Sequence, residues 1–347
     1  MTVDFFPSFL EVERYSRPEF FQPQQAEALS EVAFLSISEF AVFYRARLNG
    51  ELVALKIFIK SQGFFERELK SLASVQDVPG VLPLLGRAFF RENCVDKCVL
   101  ITKFIEGQDL FFFKGSAANR SFLKVSRISL QVLRILDCLH KNKILHADIK
   151  PGNIMVSPNG RVTLVDFGLS YEYVGPDGEI KKEIYGTWPY LPPLFPDSRS
   201  KEKGPSIDMW GLGCTIFEIC TGQNFSRLRS CAYTQEDYDQ IVERWVKDEK
   251  LARLIKSLLV FDPEKRLTAR QALQEWKAYL NFFENPEAYT EALKQLFQEE
   301  PSTALEKKAP PVNLERGLVS GWDKKAFLQK LMVLLFLGYL VKFAGQF

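Results

Sequence analysis

Histidine occurs only twice in this chain of 347 residues, at His140 and His146. Cysteine does not make up for it as a metal ligand. The six cysteines, Cys94, Cys98, Cys138, Cys214, Cys220 and Cys231, are scattered through apolar segments, and no second Cys or His pair completes a zinc site beside Cys94 and Cys98. A metal staple is therefore not expected. With no leader peptide ahead of them, the cysteines read as reduced thiols of a cytosolic protein. A surplus of charge is lacking too: 45 basic against 43 acidic side chains leave a net +2. That balance offers no bulk attraction to nucleic acid, so no nucleic-acid partner is expected and any recognition of anions must be local. Residues 1 to 28 hold no sustained apolar run; Phe5, Phe6, Phe9, Phe20 and Phe21 are mixed with acids, prolines and glutamines. They read as a segment packed on a folded domain or docked to a partner, not as a targeting peptide.

What the chain does have is apolar mass, 46% of its residues. That suffices for two cores, and its length exceeds the size at which single cores stop growing, so two lobes with extensions are expected. From Ala33 to Ile59, short β-rich runs (AVFYRARL and ELVALKIFI) flank Asn49-Gly50, the signature of a hairpin. Residues 64 to 75, FFERELKSLASV, place Phe65, Leu69 and Leu72 on one side of a helix. Ile128, Val132, Ile135, Leu136 and Leu139 do the same within residues 121 to 141, with His140 at the end as a capping or packing residue.

Chemistry concentrates in residues 144 to 168, ILHADIKPGNIMVSPNGRVTLVDFG. His146-Ala147-Asp148, Lys150, Asn153 and Asp166-Phe167-Gly168 bring two carboxylates, an amide and an ammonium together, around two short β-branched runs joined by a Pro-Asn-Gly turn. Such a set suits phosphoryl transfer, where the protein aligns a hydroxyl with a γ-phosphate and surrounds the spreading charge with cations. Asp148 would orient and deprotonate the hydroxyl, Lys150 would hold the γ-phosphate, and Asn153 with Asp166 would hold Mg²⁺ through oxygen.

The order and spacing of these groups resemble the catalytic centre of eukaryotic-type serine/threonine protein kinases, over residues 30 to about 280. The resemblance implies an α+β, bilobal protein-kinase-like fold. Its parts would be an N-terminal extension (1–29), a small β-rich lobe (30–105), a larger helical lobe (106–282), a charged linker (283–325) and a hydrophobic tail helix (326–347). Val53-Ala54-Leu55-Lys56 resembles the strand whose lysine contacts the nucleotide's α- and β-phosphates and pairs with a helix glutamate. Glu66 and Glu68 compete for that pairing; Glu68 is chosen because it precedes an apolar residue, Leu72, by one helical turn. Ala54, Thr102, Phe104 and Ile105 fall on the adenine pocket and the connection between lobes. The family's three loop glycines fall on Ser36, Ser38 and Ala41, which predicts a weaker or altered grip on phosphate, with serine hydroxyls as substitute contacts. Phe43 replaces a small residue over the adenine and would crowd the base.

In the large lobe, His146 is similar to the histidine that braces the catalytic loop, and Asp208 to the aspartate that accepts its backbone hydrogen bonds. The helix beyond Asp208, in IDMWGLGCTIFEICTG, is apolar all round and so should be buried. Ala147 stands where many kinases keep an arginine that answers a phosphate, so activity would be constitutive or switched by other means. Lys150 and Thr187 match the serine/threonine-specific pattern, and the segment after Gly168 would form the substrate platform. Leu194 takes the place of a glutamate that pairs with an arginine, here Arg266; the guanidinium must find another carboxylate or face water. Residues 251 to 280 read as two amphipathic helices around Asp262-Pro263.

Near the end, Leu331 to Val341 forms eleven apolar residues, about 16 Å of helix against roughly 30 Å of hydrocarbon core. A marginal membrane anchor, an interfacial helix and a helix docked on protein all remain open, and oligomeric state is not legible. The resemblance implies an ATP- and Mg²⁺-dependent serine/threonine kinase acting on protein substrates. The alternative is a pseudokinase scaffold, which Ser36, Ser38, Ala41, Ala147 and Leu194 support; a small-molecule kinase is disfavoured by Lys150, Thr187 and the DPEKRLT motif.

Overall fold

In the computed structural model, the described residues are 9–284 except 18–19, 60–61, 93–94, 116–119, 174–185, 194–203, 226 and 228–233. The tail segment Leu331 to Val341, the linker from 285 onward and Leu194 lie outside them. No helix among the described residues is long and apolar enough to cross a membrane.

The Asn49-Gly50 turn forms as expected. Both residues take positive φ (+49° and +83°), the backbone that a two-residue hairpin turn needs, and Gly50 adopts it without steric cost. It joins β4 (Ala41–Leu48) to β5 (Glu51–Phe58) in a register that sets Phe43 opposite Lys56. On the other side of β5, Ala54 lies opposite Thr102 of β7 (Val95–Lys103).

The stretch expected as an N-terminal extension contributes to this sheet. Strands β1 (Phe9–Arg17), β2 (Phe20–Phe21) and β3 (Gln25–Ile37) extend it to the order β2-β1-β3-β4-β5-β7-β6, where β6 is Leu84–Glu92. Because β1 also pairs with β6, the sheet closes on itself. The reason is alternation: Leu10 and Val12 are buried in the lobe's core with Leu48, Leu55 and Ile101, while Glu11 and Glu13 point away from it. Gly86 permits the closure, since a Cβ there would lie 2.6 Å from the Glu13 carbonyl oxygen. Outside the barrel, Arg14 forks onto Glu27 (2.6 and 2.5 Å), and the Arg87 guanidinium binds Glu13 (2.7 Å) and covers the Phe21 ring at 4.4 Å.

Helix α1 (Gln62–Ala73) buries Phe65, Leu69 and Leu72 as the spacing predicts. After β7 come the short strand β8 (Gln108–Asp109), the one-turn helix α2 (Leu110–Phe113) capped by the Asp109 side chain, and the long helix α3 (Phe122–Lys141). Two strand pairs follow: β10 (Ile154–Val156) with β11 (Val162–Leu164), and β9 (Ile144–Leu145) with β12 (Tyr171–Glu172). Helix α4 (Gly204–Thr221) is buried nearly all round. It carries the loop around Asp148 on its surface: a Cβ at Gly211 would meet the Ile149 carbonyl oxygen at 2.7 Å. Helices α5 (Gln235–Trp245), α6 (Glu249–Leu258) and α7 (Ala269–Glu284) complete the large lobe.

Of the two outcomes expected for Arg266, exposure to water is not the one found. The side chain is buried, and its guanidinium donates to the carbonyls of Val260 (2.9 and 2.7 Å) and Ser206 (2.8 Å) while covering the Trp210 ring at 5.1 Å. Carbonyl dipoles and an indole face thus help satisfy the charge where the family's glutamate is replaced by Leu194.

Candidate active site

The site begins with a buried carboxylate that shapes a loop. Asp208, near the start of α4, accepts hydrogen bonds from the backbone N–H of His146 (3.0 Å) and Ala147 (2.8 Å), and a ring nitrogen of His140 lies 2.9 Å from it. These bonds hold Ala147 at φ +67°, a left-handed backbone that a residue with a Cβ rarely adopts. His140 is therefore a partner of Asp208 as well as the end of α3. His146 is buried and links two loops. Its Nδ1 accepts the Asp148 N–H at 3.3 Å, which leaves the proton on Nε2 to be donated to the Val165 carbonyl at 3.1 Å. The ring also packs edge-on against Phe167, with centroids 4.9 Å apart.

Asp148 is 5% exposed and both its oxygens are engaged. Lys150 Nζ (2.5 Å) and Asn153 Nδ2 (2.9 Å) bind one oxygen; Thr187 Oγ1 (2.6 Å) and the Thr187 N–H (3.1 Å) bind the other. Lys150 also donates to Thr187 Oγ1 at 2.8 Å, closing a triangle around the carboxylate. Three residues spread over forty positions of sequence converge here because β10, β11 and the α4 platform fix the loops that carry them.

Across the cleft, Lys56 Nζ joins Glu68 (2.9 and 2.7 Å) to Asp166 (2.8 Å), so the expected choice of Glu68 over Glu66 is the pairing found. Two carboxylates share one ammonium. Burial alone would pull Lys56 down, but the two acids together raise it above the ordinary amine value. Burial pushes the enclosed Glu68 carboxyl up to about 7 against the pull of Lys56. For Asp166, burial again works upward, yet Lys56, with help from Lys150, holds it at about 2. Asp166 itself has φ +63°, and Gly168 lies so close that an added Cβ would sit 3.1 Å from Glu68 and 3.3 Å from Asp166.

The donor chemistry suits Mg²⁺. Asp166 offers a carboxylate that stays ionised, and Asn153, whose Nδ2 is turned to Asp148, keeps its amide oxygen as an acceptor. Among the described residues no group of three or more His, Cys, Asp or Glu gathers.

The hairpin turn around Ser38 bonds to itself. Ser38 Oγ receives the N–H groups of Phe40 (3.3 Å) and Ala41 (3.1 Å), and its hydroxyl donates to the Ala41 carbonyl (3.1 Å). The serine hydroxyl thus serves its own turn. Ser36 pairs with Phe43 in the sheet, and Ala41 is buried. Phe43 reaches Lys56, with the ammonium 5.3 Å from its ring centre. At the connection between lobes, Thr102 is buried and half-buried Ala54 is its partner across the sheet. The Phe104 N–H is directed to the Leu52 carbonyl at 3.4 Å. Phe104 and Ile105 also line a groove of about 920 Å³ with Pro83, Arg134 and Ser157, to which Lys56, Asp148 and Asp166 do not contribute.

Sequence reasoning missed two serines that stitch these parts together. Ser71 Oγ on α1 donates to the Ser170 carbonyl (3.1 Å), and Ser170 Oγ donates to the His146 carbonyl (3.1 Å). Hydroxyls of this kind have no characteristic spacing, so no signal marked them.

The family model for the protein kinase domain matches residues 38–276, more than half of the chain. This chain belongs to the protein kinase family. Curated relatives agree. A cell division control protein 2 homolog of Trypanosoma brucei brucei is 25% identical over 294 residues, covering 72% of this chain and 91% of the relative. Developmentally-regulated protein kinase 1 of Dictyostelium discoideum is 29% identical over 189 residues, 53% of this chain and 26% of the relative. An Aurora kinase of Eremothecium gossypii is 27% identical over 216 residues, 60% of this chain and 54% of the relative. The chain thus spans nearly all of the first relative but about a quarter and about half of the other two.

Proposed function

We propose that this kinase-family chain is an active serine/threonine protein kinase that transfers the γ-phosphoryl group of ATP with Mg²⁺. The observation that carries the reading is the joint at Lys56, whose ammonium touches both Glu68 of α1 and Asp166 of the opposite lobe. The small lobe is thereby held with its cation beside the acid that would bind metal. Asp148 accepts the proton of the incoming hydroxyl, and Lys150 neutralises charge developing on the transferred group. The tight triangle of Asp148, Lys150 and Thr187 suits a short aliphatic hydroxyl. Bound at Asp166 and Asn153, Mg²⁺ would supply Lewis-acid neutralisation of the phosphates.

One observation favours the alternative, a nucleotide-binding scaffold without efficient turnover: Ser38 consumes two amides of the phosphate turn. Radiolabelled ATP with generic protein substrates separates the two, comparing the parent with Asp148→Asn and Asp166→Ala. Incorporation by the parent and its loss in both variants supports the kinase. Equal incorporation in all three overturns it, and nucleotide binding without turnover supports the scaffold.

A further inference from the structure

From Asp148 a line of contacts runs outward through the large lobe. Thr187 binds Asp148, the Tyr190 N–H donates to the Thr187 carbonyl (2.9 Å), and the Tyr190 hydroxyl donates to Glu218 (3.3 Å). Glu218 is wholly buried on α4 and also receives the Phe225 N–H at 3.0 Å. Lys114, just past α2, forms an ion pair with it, and Arg120 donates to the Lys114 carbonyl at 3.1 Å while its guanidinium lies against Gly222. The segment after the inter-lobe connection therefore brings its own ammonium to this acid, and Arg120 holds the carbonyl of the residue that carries it. A basic side chain arriving with a substrate finds the carboxylate already neutralised.

The same segment presents apolar surface to solvent. Phe112 is 70% and Phe111 53% exposed, their rings edge to face at 5.8 Å, and Lys114 lies 4.7 Å from the Phe111 ring centre. Beyond Thr187, Trp188 is 60% exposed at the head of the short helical turn Trp188–Tyr190. Bulky aromatic groups left in water near a reaction centre are a recognition surface more often than core.

We propose that this rim selects protein segments carrying a bulky apolar side chain near the acceptor hydroxyl, and that Lys114 is the residue that removes any demand for a basic one. The proposal rests on the kinase reading above. It matches surface to substrate: aromatic faces for an apolar side chain, and an acid already neutralised by Lys114 against a cation.

The test is a peptide array with a fixed Ser or Thr acceptor and each flanking position varied, phosphorylated by the full chain with MgATP. Leu or Phe is expected to be preferred over Ala at one or more flanking positions by about tenfold, with no preference for Arg or Lys. Phe112→Ser, a change at an exposed position, is expected to bring the apolar-to-Ala ratio toward one. Lys114→Met is expected to raise the Arg-to-Ala ratio by freeing Glu218. Should that variant fail to fold, the parent array and Phe112→Ser still decide. Selection of Arg or Lys by the parent, or an apolar ratio unmoved by Phe112→Ser, overturns this inference while leaving the kinase reading in place. Absence of phosphorylation of peptides and generic proteins alike overturns the kinase reading and this inference with it.

Discussion

The catalytic loop and the phosphate hairpin treat their polar groups in opposite ways. Around Asp148, four donors from Lys150, Asn153 and Thr187 converge on a group that would do chemistry, so internal bonds prepare it. At Ser38, internal bonds instead consume the Phe40 and Ala41 amides that a phosphate would otherwise meet. One region spends its hydrogen bonds on holding a reactive group ready; the other spends them on itself. The lesson is that the two halves of such a site can diverge separately, because on the proposed reading the hydroxyl would be positioned by the large lobe and the phosphate by the small one.

Removing the reactive acid is the largest blow to that contrast. Asp148→Asn retains the shape of the triangle but deletes the base, and turnover is expected to fall about 10³-fold. Nucleotide affinity, measured by titration calorimetry, should change little, because Lys56 and Asp166 are untouched. A variant with near-normal turnover would mean that the large lobe's prepared carboxylate is not the one that acts.

Ser38→Gly probes the other half. It removes the cap and restores a glycine where close backbone approach is permitted. With two amides released, and about 1 kcal/mol for a typical hydrogen bond, the KM for ATP is expected to fall roughly fivefold at constant kcat. An unchanged KM would place the turn away from the phosphates and dissolve the contrast.

Much of this was readable in the sequence, and unevenly so. The Asp148, Lys150, Asn153 and Asp166 set was legible because spacing in one loop fixes geometry, and Asn49-Gly50 because two positive φ values demand those residues. The alternation of Leu10 and Val12 with Glu11 and Glu13 was also present, but the surrounding prolines and aromatics masked it, and β1 was read as an extension. The inward use of Ser38 was not legible, because a serine hydroxyl serves its own turn or a ligand from the same position. Nor were the carbonyl and indole contacts of Arg266, which depend on Val260, Ser206 and Trp210 meeting in space.

The shared ammonium between the two regions gives a pH dependence. Glu68, raised from 4.5 to about 7, keeps its proton in the folded state where the unfolded chain has lost it. Its contribution to stability is therefore fully present below 4.5 and is lost as pH rises through about 7. Glu68→Gln is expected to flatten the fall in Tm between about pH 5 and 8. Asp166, held at about 2, stays ionised throughout that range and adds no slope. A parent Tm that rises with pH across the window would show that Lys56 keeps Glu68 ionised after all.

The finest comparison concerns helix α1, which ties the small lobe to the large through Glu68 and Ser71. Its last residue, Ala73, offers its carbonyl to the Tyr15 hydroxyl of β1 at 3.1 Å, so the strand that closes the sheet also fastens the end of the helix. Tyr15→Phe keeps the ring against Phe21, 5.7 Å away between centres, and removes this one bond. The expected loss is about 1 kcal/mol, a Tm lower by about 2–4 °C, with kcat nearly unchanged because Lys56 still clamps Glu68. A fall in kcat without a fall in Tm would reverse the order of dependence, making the N-terminal strand a setter of the helix and the Lys56 bridge its follower.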